Sequence, residues 1–198
     1  MNLDIGRNLR DILIIIHGKN VLKGSMKLSK KLEIGAGNNP QKEGWIHQDI
    51  RQLDGIDLVC DAKQLPFKDS ELEDVFSSHV IEHFGWREVR IVLIEWLRVL
   101  EKGGRLETIT PDFFRLWENL ITKRDLPKSD KWKGGPVDSA FVAYVTGGGQ
   151  DYPENTHIAH YTDKWYRETL ESLGCSVEIK YHGKDHPSPS IRIIAIKL

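Results

Sequence analysis

Short apolar runs alternate along the chain with longer segments of helical periodicity. Four of these runs have the length of buried strands and cover residues 31–34, 45–49, 57–60 and 75–78. Such alternation is typical of crossover units, in which a connecting segment leads from one parallel strand to the next. The pattern therefore predicts an α/β fold built on a parallel sheet.

A helix is predicted over Trp86–Leu100, because its apolar residues recur at steps of three and four and form one stripe. Gly103 and Gly104 are predicted to end this helix, since glycine tolerates the left-handed backbone found past a helix end. A fifth strand is then predicted over Arg105–Thr110, and Pro111 stops it.

The C-terminal part of the chain predicts one more helix and two strands. Thr162 is a predicted helix N-cap, and Tyr161 and Tyr166 are spaced to form a hydrophobic staple around it. Strands over Ser176–Tyr181 and Ile191–Ile196 are expected to pair antiparallel. Together the elements predict a seven-stranded, mostly parallel sheet with helices on both faces and an antiparallel C-terminal edge.

The pattern is weakest over residues 112–160, although Phe113–Leu120 has the periodicity of a helix. Long irregular segments in compact domains are usually lids or binding loops, so we expect a lid-like insertion here. Residues 1–30 are expected to form an N-terminal extension packed on the domain. The domain itself is expected to cover residues 31–198.

Composition and charge fit one globular domain. The 198 residues are 39% hydrophobic and 29% charged, and 28 Lys and Arg against 29 Asp and Glu leave a net charge of -1. This balance argues against a protein that grips a nucleic-acid backbone over its whole surface, so no nucleic-acid partner is expected. Cys60 and Cys175 fit a reducing compartment, and we expect a cytoplasmic location. No apolar run approaches the roughly 20 residues of a transmembrane helix.

A glycine turn, Gly35–Gly37, directly follows the first predicted strand and carries the sharpest chemical signal. Glycines at such a turn let a ligand lie against the backbone. Pro40 stands where the dinucleotide-binding fingerprint has its third glycine. Glu33 lies in the strand just before the turn, where it would repel a diphosphate but tolerate an ammonium group.

Polar residues also follow the next three predicted strands. Asp49 can accept hydrogen bonds from both ribose hydroxyls of a nucleoside, and Asp61 and Ala62 can meet an adenine amino group. Ser78 and His79 end the fourth strand. Because open parallel sheets bind ligands at the carboxyl ends of their strands, these residues predict one site at one edge.

These segments resemble the class I S-adenosylmethionine-dependent methyltransferases, in particular the type 11-like family. The resemblance covers residues 31–111 well. The segments that carry it are Glu33–Gly37, Trp45–Asp49, Asp61–Ala62, Leu65–Phe67, Val75–His83, Leu100–Gly104 and Arg105–Pro111.

The resemblance implies a Rossmann-like fold, S-adenosyl-L-methionine as the cofactor and methyl transfer as the reaction. Only eleven residues separate Ile34 from Ile46, which leaves little room for the first crossover helix of the family. The cofactor site that the resemblance implies consists of Glu33, Gly35, Ala36, Gly37, Asp49, Ile50, Asp61, Ala62, Ser78 and His79.

Methyl transfer from a sulfonium depends largely on the alignment of the donor with the acceptor. A hydroxyl acceptor must also lose its proton, best to a group that titrates near neutral pH, and histidine is such a group. The candidate bases are His79, His83, His157 and His160. We expect O-methylation of a small molecule or a glycan precursor. No metal is expected, because no third ligand accompanies the histidine pairs at a clear spacing.

Two other functions remain open on the sequence. One is a regulatory or assembly module that binds the cofactor without turnover. The other is a nicotinamide-dependent oxidoreductase, which Pro40 and Glu33 disfavour. An enzyme that methylates amino groups of nucleic acids is also disfavoured, since Ser78, His79 and Val80 stand where such enzymes carry a Pro-Pro-aromatic sequence.

Overall fold

The structure is a computed structural model that describes residues 21–22, 30–123, 156–182 and 189–198. The strands in these residues are β1 Val21–Leu22, β2 Lys31–Ile34, β3 Ile46–Asp49, β4 Leu58–Val59, β5 Leu72–Ser78, β6 Leu100–Pro111, β7 Cys175–His182 and β8 Ser190–Lys197. The helices are α1 Val89–Val99, α2 Phe113–Lys123 and α3 Asp163–Ser172, with a 3-10 turn at Ile81–His83. Among the described helices, none has the length and apolar character needed to cross a membrane.

The strands form one sheet in the order β1-β4-β3-β2-β5-β6-β8-β7. The five strands from β4 through β3, β2 and β5 to β6 are parallel to one another, whereas β8 is antiparallel to both β6 and β7. The predicted mostly parallel α/β sheet with an antiparallel C-terminal edge is confirmed. Beside the seven predicted strands, the two-residue β1 adds an antiparallel pairing with β4.

The hydrophobic core lies on one face of the sheet. Leu32, Val75 and Leu106 are paired across β2, β5 and β6, and each is at most 1% exposed. Helices α1 and α3 bring the fully buried Trp96 and Tyr166 into the same cluster. Burial of a large apolar side chain contributes about 1.5–3 kcal/mol, so this face supplies much of the driving force for folding.

The domain division falls partly outside the described residues. Of the predicted extension over residues 1–30, only residues 21–22 and 30 are described. Of the predicted insertion over residues 112–160, the described parts are α2 with its flanking residues and residues 156–160. The extension and the lid therefore stay predictions.

Helix α1 is shorter than predicted at both ends. It begins at Val89 and not at Trp86, whose side chain is 70% exposed and takes no part in the core stripe. It ends at Val99, because Leu100 is extended and pairs with Leu72 of β5. Pairing with β5 therefore sets the residue at which α1 ends and β6 begins.

Gly103 and Gly104 do not end a helix, so this prediction is wrong. They lie inside β6, where the pairing with β5 shifts register between Leu72 and Asp74. Gly103 has φ +81°, and a Cβ on Gly104 would come within 2.8 Å of the Glu101 carbonyl oxygen. Both glycines thus permit the register shift in the pairing of β6 with β5, which a side chain at these positions would obstruct.

The predicted start of the C-terminal helix is confirmed. The Thr162 side chain accepts a hydrogen bond from the Trp165 backbone N–H at 2.9 Å, as an N-cap does. The Tyr161 and Tyr166 rings lie 6.0 Å apart in an edge contact, which is the staple geometry. This cap fixes where the segment at residues 156–161 enters α3.

Loss of the cap should destabilise the protein. We expect Thr162→Ala to lower the free energy of unfolding by about 1 kcal/mol, since one backbone N–H of the first turn loses its partner. Thr162→Ser keeps the acceptor oxygen and should stay close to the parent protein. Urea denaturation followed by circular dichroism measures both variants, and equal midpoints for Thr162→Ala and the parent would contradict the assignment.

Candidate active site at the carboxyl edge of the sheet

A cavity of about 510 Å³ lies where the carboxyl ends of β2, β3, β4 and β5 meet. This is the edge at which open parallel sheets bind ligands. Among the described residues, six of the ten predicted cofactor residues line the cavity: Gly35, Asp49, Ile50, Asp61, Ala62 and His79. The other four, Glu33, Ala36, Gly37 and Ser78, lie at the same strand ends but outside its lining.

Gly35 brings the backbone of the first turn close to its neighbours. Its φ is +65°, and a Cβ on it would lie 2.4 Å from the Cγ2 atom of Val80. Gly37 also has a left-handed backbone with φ +61°, but a Cβ there would meet no atom closer than 3.9 Å. The left-handed backbone favours glycine at both positions. At Gly35 the closeness of Val80 also leaves no space for a side chain.

The crossover from β2 to β3 contains no helix, as its length predicts. Residues 35–45 form turns that are tied to Glu33, whose carboxylate accepts the backbone N–H groups of Gln41 and Lys42 at 2.9–3.1 Å. The Nε2 atom of His47 lies 3.5 Å from the same carboxylate. Glu33 is only 2% exposed and holds this turn, while its contact with a cofactor ammonium group stays a prediction.

Two cavity residues, Gln48 and Arg51, were missed by sequence reasoning. The Gln48 side chain accepts the Gly35 N–H at 3.2 Å and donates to the Cys60 carbonyl at 2.6 Å, so it ties β2 to β4. The Arg51 guanidinium donates to Asp49 at 3.0 Å. The sequence offers only weak signals for them: Gln48 is a glutamine inside an apolar strand, and Arg51 is an arginine two residues after an acid.

The wall at the end of β4 is held rigidly. Asp61 accepts the Lys63 N–H at 2.8 Å, and the Ala62 carbonyl accepts the indole N–H of Trp96 at 3.0 Å. Because Trp96 is fully buried in α1, the core itself fixes the position of this wall. Ile50, after β3, is 52% exposed and presents an apolar surface to the same cavity.

His79 ends β5 in an unusual backbone conformation. Its φ is +56°, which is rare for a residue other than glycine and costs about 1–3 kcal/mol. The backbone N–H donates to the Ile109 carbonyl at 2.8 Å and so holds this conformation. The side chain is 52% exposed on the cavity wall, and its Nδ1 atom lies 3.1 Å from Oε1 of Glu82.

The other three predicted histidines converge on the same place. The His83 and His157 rings are 5.0 Å apart, and the His157 and His160 rings are 6.1 Å apart. Nε2 of His157 lies 3.8 Å from Oε1 of Glu82. The structure thus brings His79, His83 and His157 together around Glu82, an acid that sequence reasoning missed, and His160 lies beside His157.

Glu82 is 1% exposed, yet it is held in the ionised state. Burial alone would raise the pKa of its carboxyl group, but the hydrogen bond from His79 and the charges of His79 and His83 outweigh burial, so the pKa is lowered. Burial alone would lower the pKa of His79, but the hydrogen bond with Glu82 and the charge of that carboxylate outweigh burial. The pKa of His79 is therefore raised. Glu82 and His79 therefore favour the charged form of each other.

Three side chains of the same cluster are of the kinds that can bind a metal ion. Glu82, His83 and His157 each offer a ligand atom, and among the described residues these atoms lie within 4.8 Å of one another. The 3.8 Å between Glu82 and His157 exceeds the separation of about 3.3 Å that bonds of about 2 Å give in a tetrahedral zinc site. The expectation that the site holds no metal stays a prediction.

Comparison with known proteins identifies the segment that carries these strand ends. Residues 32–108 match the family described as "Methyltransferase domain". A human protein named "Probable tRNA methyltransferase 9B" is 31% identical over 110 residues, which cover 52% of this chain and 23% of that protein. The chain thus spans less than a quarter of the length of this curated relative.

Solved structures share the fold over most of the chain. A SAM-dependent methyltransferase from Archaeoglobus fulgidus has a TM-score of 0.55 at 15% identity and covers 87% of this chain and 88% of its own. Haemonchus contortus phosphoethanolamine N-methyltransferase 2, solved with phosphomonomethylethanolamine and S-adenosylhomocysteine, has a TM-score of 0.52 at 12% identity and covers 88% and 50%. At these identities the likeness shows the fold.

The family match spans the glycine turn, the ends of β3 and β4, and β5 with its histidine turn, which are the segments that build the cavity. Within these segments Gly35 has a left-handed backbone, and the Asp49 carboxylate accepts the Gly37 N–H at 3.0 Å. Residues 32–108 of this chain thus match a methyltransferase domain, and its fold is similar to that of solved SAM-dependent methyltransferases.

Proposed function

We propose that this protein transfers the methyl group of S-adenosylmethionine to a hydroxyl of a small molecule or glycan precursor, with His79 as the general base. The observation that carries the proposal is the position of His79 on the cavity wall, in a strained left-handed backbone, with one ring nitrogen beside a buried acid. Strain of this kind clusters at functional sites because the surrounding structure must maintain it.

The cavity suits the cofactor in size and in the order of its polar groups. Its volume lies in the usual range of small-ligand sites, about 300–1,000 Å³. On this proposal Gly35 would contact the methionine part, Asp49 the ribose hydroxyls, and Asp61 with Ala62 the adenine, since all four residues line the cavity. When bound, the cofactor supplies a methyl group that its sulfonium already activates.

His79 can then take the proton of the acceptor hydroxyl. Its Nδ1 atom is engaged with Glu82, so the second ring nitrogen is the one that can take the hydroxyl proton. The raised pKa of His79 means that the base becomes available only as the pH rises through that pKa. We therefore expect the rate of methyl transfer to increase with pH across the titration of His79.

A second candidate acceptor is tRNA. The 31% identity to the human protein whose name includes tRNA methyltransferase favours it, over about half of this chain. The net charge of -1 weighs against it, because an RNA-binding surface usually carries an excess of Lys and Arg. A module that binds the cofactor without turnover is the third possibility, and only the detection of a methylated product separates it from an enzyme.

The proposal also retains a cytoplasmic, reducing compartment. Cys60 and Cys175 are both free and buried. Burial raises the pKa of Cys60 to about 12, so its thiol stays protonated and unreactive. Neither thiol needs an oxidising environment, which agrees with the compartment predicted from the sequence.

Substitution of the two turn glycines should separate backbone strain from lack of space. Gly35→Ala and Gly37→Ala both place a side chain on a left-handed backbone, but only Gly35→Ala also meets Val80. We expect both to lose stability and Gly35→Ala to lose far more affinity for S-adenosylhomocysteine. Titration calorimetry on the folded variants tests this, and equal affinity losses would show that the close approach of Val80 to Gly35 does not affect cofactor binding.

Asp49→Asn should weaken cofactor binding while the fold is retained. Hydrogen bonds to a charged group contribute roughly 1.5–3 kcal/mol, so we expect roughly 10- to 150-fold weaker binding of S-adenosylhomocysteine. Asp74→Asn is the matched control, because Asp74 pairs with Lys31 at 2.8 Å and does not line the cavity. Unchanged affinity in Asp49→Asn by calorimetry would remove Asp49 from the ribose site.

The acceptor is tested with S-adenosylmethionine labelled in its methyl group. The purified protein is incubated separately with nucleotide sugars, with lipid-linked glycan precursors and with total tRNA, and label transfer is measured. We expect label in a sugar-containing acceptor, and a rate reduced about 10²- to 10⁴-fold in His79→Gln. His160→Gln, whose ring stacks on Phe113, should lose much less.

Label in tRNA alone would replace the proposed acceptor with the second candidate. Label in none of the acceptors, from a protein that binds S-adenosylhomocysteine, would favour the binding module. A full rate in His79→Gln with a large loss in His157→Gln would move the base to the segment before α3.

A further inference from the structure

Glu82 lies in the turn Ile81–His83 and does not line the cavity. Each oxygen of its carboxylate nevertheless has a hydrogen-bond partner. Oε1 lies 3.1 Å from Nδ1 of His79, and Oε2 accepts the Thr110 hydroxyl at 3.3 Å. A buried carboxylate with these two partners can be stable only in a fixed position and orientation.

Resting on the proposed function, we infer that Glu82 is the positioning residue of the base: it fixes the His79 ring with Nδ1 protonated and aims the other nitrogen at the acceptor. A carboxylate that accepts a hydrogen bond from one ring nitrogen of histidine sets the tautomer and stabilises the imidazolium that forms when the base takes a proton. The separation of His79 and Glu82 by three residues makes this geometry possible within a single tight turn.

The backbone of Glu82 connects the base to a second element. Its carbonyl accepts the N–H groups of Ile158 and Ala159 at 2.9 and 3.2 Å, and Nδ1 of the neighbouring His83 lies 3.0 Å from the Thr156 carbonyl. Residues 156–160, with Thr156 and Ile158 on the cavity wall, are thereby docked on the turn that orients His79. The turn that holds the Glu82 carboxylate beside His79 thus also anchors this part of the cavity wall.

The groups that face Glu82 come from four elements. They are His79 and His83 around its own turn, Thr110 on β6, Tyr166 on α3, and His157 in the segment before α3. Burial, reinforced by the charge of Glu82, raises the pKa of Tyr166, so this phenol stays neutral. Because the Glu82 carboxylate lies beside Nδ1 of His79 and raises the pKa of that ring, Glu82→Gln should make protonated His79 less stable.

The test is the titration of His79 in the full chain bound to S-adenosylhomocysteine, followed by NMR of ¹⁵N-labelled histidine rings. His79→Gln assigns the signal. In the parent protein we expect the neutral ring to carry its proton on Nδ1. In Glu82→Gln we expect the pKa of His79 to move to lower pH and the neutral ring to divide between both tautomers.

Glu107→Gln is the matched control. Glu107 is 2% exposed, pairs with Arg105 and Arg192, and lies on the face of β6 that is turned away from the core. Its loss should cost stability, as any broken buried pair does, and leave the His79 titration in place. If Glu82→Gln fails to fold, Glu82→Asp keeps the charge but draws the carboxylate away from His79, and the same displacement of the His79 titration is expected.

An unchanged pKa and tautomer of His79 in Glu82→Gln, or in Glu82→Asp, overturns the inference. Equilibrium dialysis against zinc supplies a second arm. If the parent protein binds one equivalent of zinc and both Glu82→Gln and His157→Gln lose it, Glu82 is a metal ligand. That result would also overturn the inference. These readouts need no acceptor, whereas failure of the proposed function would appear as absent methyl transfer or as full activity in His79→Gln.

Discussion

The parallel pairing of β2 with both of its neighbours is the constraint on which the site depends. Leu32 pairs with Ile46 on one side and with Val75 on the other, so β3, β2 and β5 run in the same direction and end at one edge. Apolar side chains on one face hold this register, because a slip by one residue would turn them out of the core. This pairing places the turn at Gly35 beside the end of β3, where the Gly37 N–H reaches the Asp49 carboxylate.

The short crossover after β2 changes how that edge can bind a ligand. In dinucleotide-binding folds the N-terminus of the first crossover helix attracts a pyrophosphate through its dipole. Residues 35–45 contain no helix, and Glu33 organises the turn through the N–H groups of Gln41 and Lys42. A ligand with a cationic sulfonium and no phosphate loses little from the missing dipole, which fits S-adenosylmethionine better than a nicotinamide dinucleotide.

Much of this arrangement could be predicted from the sequence, because local signals determine it. Glycines after an apolar run, and acids after the next two runs, mark the strand ends wherever the strands later pair. The role of Gly103 and Gly104 could not be found in this way, since the register between β5 and β6 is decided by tertiary pairing. Glu82 was missed for a related reason: its function depends on Thr110 and on residues 156–160, which are distant in sequence.

The histidine turn shows how a local pattern and a tertiary contact combine. The spacing of His79 and His83 is that of one helix face, but the chain instead places His79 in a left-handed conformation ahead of a short 3-10 turn. That conformation lets the ring reach Glu82 while its other edge stays on the cavity wall. The strained backbone is held by the hydrogen bond from the His79 N–H to the Ile109 carbonyl, and the ring is held by its contact with Glu82. Both partners belong to the folded structure around the turn, which is why this conformation could not be predicted from the two histidines alone.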